Sequence, residues 1–322
     1  MEKTRNHSHE VHTHPTLSVV IPTYNREKPL RSTVQSLLEL GDVGWELLIV
    51  DQTQCHSEET ENFLLSLPPR VRIIRLPTPN LPAARNVGAQ ETSGEIILYL
   101  DDDIRPQPEL FRAHTRHYGD PTVGGVAGRL ISPYGDIKKL DPRYHSSPFH
   151  WRHIRFDQNW DLREVESAPG GNMSFRRNLL FQIGGFDENF VGNAFREETD
   201  FCMRLRKLSY RILFDPDAAL IHYWQTEGGC DHIRFGSSHF ISFSYYIDFV
   251  QNNFYFFLKH VPLTAVGELA WELYRNHIGN KENMDQGFKH LYLRHIAFCI
   301  GIVRGFKAWS RWQRNPGGIR FL

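Results

Sequence analysis

Cysteine is scarce in this 322-residue sequence, and its four copies, Cys55, Cys202, Cys230 and Cys299, are scattered with no CxxC pair. That excludes a dense disulfide framework and fits ordinary packing roles in a reducing compartment. Long hydrophobic runs are missing too: no apolar stretch approaches the roughly 20 residues that span a bilayer, and no apolar h-region stands at the N-terminus. A cytoplasmic protein, soluble or peripheral to the inner face of the membrane, is expected. Net charge is absent, with 37 Lys and Arg against 37 Asp and Glu, so no global field invites nucleic acid. The balance hides an asymmetry. Residues 286–322 carry Lys289, Arg294, Arg304, Lys307, Arg311, Arg314 and Arg320 with no acid, which leaves 1–285 at a net charge of −7.

Glycine is missing where nucleotide-binding α/β folds place it. A dinucleotide site needs a glycine-rich turn straight after the first strand, and here Leu17-Ser18-Val19-Val20-Ile21 runs into Pro22-Thr23-Tyr24-Asn25-Arg26. No phosphate loop of the GxxxxGKS/T type occurs either. A ligand at such a sheet must be held by side chains and metal.

What is present is a repeated alternation of apolar strands and amphipathic helices. The first strand, expected to stop at Pro22, is followed by helical spacing over 30–40. Glu46 to Asp51 reads as a second strand ending in an acid, 57–67 as a helix with Ser57 and Thr60 as caps, and 71–76 as a third strand. A helix over 81–92 leads to a fourth strand, Ile96 to Leu100. Strands that read as continuous apolar runs between helices indicate an α/β fold with a mostly parallel sheet covered on both faces.

The fourth strand ends in three consecutive carboxylates, Asp101, Asp102 and Asp103, at the edge where open α/β sheets bind ligands. Side chains alternate along a strand, so Asp101 and Asp103 point one way and Asp102 the other, unless the strand bends as it leaves the sheet. Adjacent acids repel one another. Either a divalent cation compensates them, hard oxygens suiting Mg²⁺, Mn²⁺ or Ca²⁺, or they form a solvated acidic turn before Arg105-Pro106.

Further along, a helix is expected over 108–118 and a strand over 123–128, after which 131–160 loses periodicity and crowds with aromatics and histidines. A loop of that length is either functional, its aromatic faces suiting sugar or lipid, or a local mini-core. Gly170-Gly171-Asn172 allows close backbone approach, and Glu197-Glu198-Thr199-Asp200 precedes helical spacing over 199–208. Carboxylates there also complement the helix dipole, and Asp200 and Arg204 form an ordinary i,i+4 pair. Two short strands are expected around Asp215-Pro216-Asp217, the second ending at His222. Beyond Gly228-Gly229, helical faces recur over 240–257, 266–274 and 290–312. The last mixes Trp and Phe with basic residues, fitting either an anionic membrane surface or packing on the core with a basic solvent face.

Taken together, Pro22-Thr23-Tyr24-Asn25-Arg26, Val50-Asp51, Ala83-Ala84-Arg85-Asn86-Val87-Gly88, the triple acid, Gly171-Asn172-Met173-Ser174-Phe175-Arg176, the Glu197-Glu198-Thr199-Asp200 cluster with Arg204-Leu205-Arg206, and His222 resemble the family 2 glycosyltransferases, in that family's order. The resemblance implies a GT-A type, Rossmann-like fold and an inverting, metal-assisted enzyme. It would move a sugar from a nucleotide-diphosphate sugar to a hydroxyl of a glycan, a lipid-linked saccharide or a small molecule. It also implies roles. Pro22, Tyr24, Arg26, Asp51 and Arg85 would hold the nucleotide, Asp101 and Asp102 would face ribose and diphosphate, and Asp103 and His222 would bind Mn²⁺ or Mg²⁺. Gly171, Asn172 and Glu197 would line the donor-sugar and acceptor side. Glu198 would be the general base, although the family commonly has Glu-Asp where this chain has Glu197-Glu198, which leaves Glu197 as the alternative base.

The expected organisation is a polar, histidine-containing tail over 1–16, a GT-A domain over 17–225 and a helical, aromatic and basic extension over 226–322, with peripheral membrane contact through 286–322. Rival readings are a non-catalytic carbohydrate-binding or scaffold protein on the same fold, and a phosphatase or nucleotidyltransferase built on the carboxylates. A dehalogenase-type phosphatase wants its DxD at the first strand, which here leads into Pro-Thr-Tyr-Asn.

Overall fold

The computed structural model describes residues 16–41, 44–133, 156, 160–225, 228–229, 242–279, 285 and 287–314. The histidine-containing stretch of the N-terminal tail and most of 131–160 lie outside the described residues.

Four short strands open the chain: β1 (Leu17–Thr23), β2 (Trp45–Asp51), β3 (Val71–Arg75) and β4 (Ile96–Leu100). All pair in parallel, in the order β3-β2-β1-β4. Their connections are α1 (Lys28–Leu38), α2 (Glu58–Leu65) and α3 (Leu81–Glu91). Side-chain caps fix where α2 and α3 begin, whereas α1, with Pro29 in its first turn, has none. Ser57 Oγ accepts from Thr60 N at 3.3 Å, and Asn80 Oδ1 accepts from Ala83 N at 2.9 Å. Pro22 continues β1 instead of stopping it. Pairing to β4 ends at Val20↔Tyr99, so the missing amide interrupts no ladder on that side. Because β2 and β4 lie on opposite sides of β1, the strand order reverses there, and a crevice opens at the carboxyl ends of β1 and β4.

Next come β5 (Ile104–Pro106), α4 (Leu110–Thr115), β6 (Val123–Ile131), β7 (Arg163–Val165), β8 (Asn172–Arg176), α5 (Arg177–Ile183), α6 (Glu197–Lys207) and β9 (Arg211–His222). The sheet is parallel over its first four strands and mixed beyond, because β8 inserts antiparallel between β4 and β6. The two strands expected around Asp215-Pro216-Asp217 are one. Its register against β6 jumps from Gly128↔Asp215 to Arg129↔Ala219, a bulge that keeps Pro216 out of the ladder. Past the bulge, β9 pairs with β5 and sets His222 opposite Ile104, beside the acid run.

Alternate residues of the strands feed two cores. Val19, Ile21, Leu47, Ile49 and Leu98 pack under α1, α2 and α4, whereas Val20, Leu48, Val50, Ile97 and Tyr99 pack under α3, α5 and α6.

The C-terminal region forms α7 (Phe243–His260), α8 (Leu263–His277) and α9 (Phe288–Arg314). One face of α9, Ala297, Gly301, Gly305 and Ala308, is buried. A Cβ on Gly301 would come within 2.6 Å of Val250 Cβ, so the small residues let α9 lie close against α7. From the other side, Phe249, Val250 and Tyr255 of α7 share a cluster with Phe190 and Ala194. Buried charge completes this seam. Asp200, fully buried on α6, faces Arg204 Nη2 at 2.8 Å, Lys259 Nζ at 2.6 Å and His260 Nε2 at 2.7 Å. Tyr255 and Lys259 also donate to Asp187, at 2.6 and 2.5 Å.

Candidate functional site

A cavity of about 480 Å³ occupies the crevice at the carboxyl ends of β1 and β4. Pro22, Tyr24, Arg26, Arg85, Asp101, Asp102, Asp103, Gly171, Glu197, Glu198 and His222 all line it. These are residues from both halves of the chain, brought together by the mixed sheet. Backbone strain concentrates around them: Asn25, Ala194, Arg196 and Trp224 hold positive φ of 53°, 51°, 80° and 46° in segments that border the cavity.

Asp101 and Asp103 converge on His222, and ligand atoms of the three lie within 4.8 Å of one another. His222 Nε2 sits 3.0 Å from Asp101 Oδ2 and 3.4 Å from Asp103 Oδ1. Its other nitrogen, Nδ1, accepts from Trp224 N at 3.0 Å, which puts the ring proton on Nε2 toward Asp101. A metal-bound histidine donates from its second nitrogen, so Nε2 would take a cation only once the Trp224 contact opens. Asp103 is further held by Gln225 N, which donates to Oδ2 at 2.7 Å. Gly171 makes room for this arrangement, since a Cβ there would collide with the Asp101 carboxylate. Two carboxylates and one imidazole are a donor set that fits Mn²⁺ or Mg²⁺.

Charge in the cluster follows burial and pairing. Burial raises the Asp101 carboxyl, but the hydrogen bond and charge of His222, with Arg85 and Arg26 beyond, outweigh it and hold the group below its ordinary range. Burial dominates at Asp103, which is raised in spite of His222. His222 is raised as well, its own burial being outweighed by Asp101 and Asp103. Asp102 lines the same cavity but has different partners, in the bend that follows β4. It accepts from Thr23 Oγ1 at 2.6 Å, and burial pushes it up to about 7 although Arg26 opposes the shift.

Arg26 is 5% exposed, with Nε 3.4 Å from Asp102 Oδ1 and Nη2 donating to Gln225 O at 3.0 Å. Its Nη1 has no hydrogen-bond partner among the described residues. A buried cation in a cavity wall with an unused N–H suits an anionic ligand.

Glu197 and Glu198 open α6 and differ sharply. Glu197 is 1% exposed, ion-paired to Arg85, and its Oε2 has no hydrogen-bond partner among the described residues. Arg85 also donates to Gly170 O at 3.0 Å. Glu198 is half-buried. Burial raises its carboxyl above the usual range although Arg85 and Arg196 stand nearby, which makes it a better proton acceptor than an ordinary glutamate.

Two residues expected at the site are placed elsewhere. Asp51 is fully buried away from the cavity wall, with Thr53 N donating to it at 2.9 Å and His56 Nε2 at 3.0 Å. Asn172 is fully buried in β8, where Nδ2 donates to Ala218 O and Arg129 O at 2.8 and 3.1 Å while Oδ1 faces His114 Nε2 at 2.8 Å. The amide is occupied by partners on β6, β9 and α4, and burial holds His114 down to about 4, hence neutral. In turn, the cavity wall includes Gln52, Asn80, Phe195 and Trp224, which sequence reading passed over. Each lies within two residues of a site residue or at a helix cap, a position that gave a usable signal only for Gln52 beside Asp51 and Trp224 beside His222.

The profile of glycosyl transferase family 2 matches residues 18–184. The pre-mycofactocin glycosyltransferase of Mycobacterium tuberculosis is 27% identical over 225 residues, covering 66% of this chain and 44% of its own length. This chain therefore spans less than half of that relative. Among solved structures, the mannosyltransferase PcManGT of Pyrobaculum calidifontis, in complex with GDP-Man and Mn²⁺, superposes with a TM-score of 0.53 at 17% identity, over 94% of this chain and 76% of that one. GalNAc-T7 with UDP, GalNAc and Mn²⁺ superposes with a TM-score of 0.55 at 15% identity, over 95% and 59%. At these identities the likeness is one of fold.

Proposed function

The chain belongs to glycosyl transferase family 2, and on that premise we propose that it transfers a sugar from a nucleotide-diphosphate sugar to an acceptor hydroxyl, with inversion at the anomeric carbon and the help of a divalent cation. One observation carries this reading: a three-ligand cluster, an arginine with a spare N–H and a glutamate tuned upward all line the same cavity. Mn²⁺ accompanies the nucleotide or nucleotide sugar in both structural neighbours, which supports that cation here.

Asp101, Asp103 and His222 would hold the cation, which when bound supplies Lewis-acid stabilisation of the charge on a departing nucleoside diphosphate. Arg26 presents Nη1 to a diphosphate oxygen. Tyr24 and Pro22 contribute the wall for the nucleotide, with Gln52 as an added contact, and Asp51 acts behind it. Glu197 offers Oε2 to a sugar hydroxyl while Arg85 fixes its other oxygen. Glu198 takes the proton of the acceptor hydroxyl as that oxygen bonds to the anomeric carbon. The bond from that carbon to the diphosphate breaks with its electron pair, and the proton ends on Glu198. The transferase unit spans 17–225 and the extension 226–322, whose described helix α7 packs on Phe190 and Ala194. A glycan, a lipid-linked saccharide or a small molecule all present the required hydroxyl.

Thermal-shift measurements against nucleoside diphosphates and sugar nucleotides, with and without Mn²⁺ or Mg²⁺, test the proposal. A ligand at 100 times its Kd stabilises the fold by about 2.7 kcal/mol. The expected outcome is a rise in midpoint with at least one nucleoside diphosphate that requires the cation and is lost in Asp103→Asn. No shift with any member, or an Asp103→Asn variant that responds as wild type does, overturns it.

A further inference from the structure

Beside its buried contact with α7, α9 carries a stripe of exposed apolar side chains, one of which, Phe306, also packs its ring on Phe254 of α7 at 5.3 Å. Phe288, Tyr292, Val303 and Phe306 are 83%, 58%, 53% and 49% exposed. At the helical rotation per residue they fall within about 60° of arc. The patch continues onto α8, where Trp271, 62% exposed, stacks on Tyr274, whose ring meets His295 and Phe298 of α9 at 5.4 and 5.3 Å. Lys289, Arg304, Lys307, Arg311 and Arg314 are exposed along one flank of the stripe. α9 contains no acid. Among the described residues Lys289, Lys307, Arg311 and Arg314 pair with no carboxylate, and Arg304 reaches only Asp248, at 3.7 Å.

This combination selects its occupant. No described helix is long and apolar enough to cross a membrane. An apolar stripe with aromatic rings and a cationic flank suits a helix lying in the bilayer interface, rings at headgroup depth and cations on anionic lipid. A second copy docked by a two-fold axis would oppose two acid-free helices and set like charges against each other. We propose that α9 lies in the plane of an anionic membrane, with Phe288, Tyr292, Val303 and Phe306 entering the headgroup boundary and Lys289, Arg304, Lys307 and Arg311 meeting lipid headgroups. The surface is separate from the sugar-transfer cavity, and its test needs no sugar nucleotide.

Flotation of the full chain with phosphatidylcholine vesicles, with and without phosphatidylserine, provides that test. Recovery with the anionic vesicles at low salt is expected, falling at about 1 M salt, where the Debye length shrinks to about 3 Å. Arg304→Gln with Lys307→Gln should weaken partitioning roughly 25-fold, at about fivefold per basic residue. Val303→Glu with Phe306→Glu should abolish it. Circular dichroism should be unchanged in both variants, and because Phe306 also packs on Phe254 of α7, Phe288→Glu with Tyr292→Glu, at 83% and 58% exposure, should abolish partitioning too with the melting midpoint unchanged. Equal recovery on neutral and anionic vesicles, no recovery on either, or a Val303→Glu/Phe306→Glu protein that floats as wild type does would overturn the proposal. So would a wild-type dimer in sedimentation that the same double variant dissociates, because a second copy would then cover the stripe.

Discussion

Glu198→Gln is expected to lower sugar transfer by about 10²–10⁴-fold while nucleoside diphosphate binding and the melting midpoint stay near wild type. The substitution removes the proton acceptor and keeps the shape. Glu198 is favoured over its neighbour because Glu197 is already committed to Arg85 in a buried ion pair, whereas Glu198 faces the cavity with a carboxyl raised by burial. Only the carboxylate accepts a proton. The wild-type rate should therefore climb with pH through a pKa above the ordinary glutamate value of about 4.3, and Glu198→Gln should lose that acid limb. If Glu197→Gln instead removes the limb and leaves a well-folded protein, the two roles are exchanged.

Asp200→Asn is expected to cost about 3–5 kcal/mol of stability, the usual effect of breaking a buried charge cluster from one side. The carboxylate is fully buried against Arg204, Lys259 and His260, so its loss strands Arg204 and loosens α7 from α6. The sign of the pH dependence follows from the same partners. Burial alone would raise Asp200, but Arg204 and Lys259 hold it far below the ordinary range. A carboxyl depressed in the folded state stabilises fully above the unfolded value near 4 and loses that contribution at about 1.4 kcal/mol per pH unit below it. Denaturant melts should show the full gap between wild type and Asp200→Asn at pH near 7 and a gap smaller by about 1 kcal/mol at pH near 3. A gap independent of pH would mean that shape, not charge, holds this seam.

Much of the site was legible because strand chemistry is periodic. An apolar run ending in three acids places them at a sheet edge, and there, in the bend after β4, the structure finds Asp101 and Asp103 with His222. The parallel first half was equally readable, since strands buried on both faces cannot alternate. What the sequence hid depends on distant partners. β8 reads like any other apolar run, and nothing local says that it enters antiparallel between β4 and β6. That insertion gives Asn172 its buried partners on β6, β9 and α4 and withdraws it from the cavity. Asp51 is likewise claimed by His56, five residues along the chain but facing back across a turn. The two strands read around Pro216 are one because a bulge, which composition does not announce, absorbs the proline.

The most direct test of a metal-assisted sugar transfer is release of nucleoside diphosphate from a panel of sugar nucleotides, with Mn²⁺ or a chelator, by wild type and Asp103→Asn. Turnover of at least one sugar nucleotide that needs the cation and vanishes in Asp103→Asn is the expected result. Turnover that survives the chelator and the substitution, or none from any sugar nucleotide by a protein that binds the diphosphate, contradicts it.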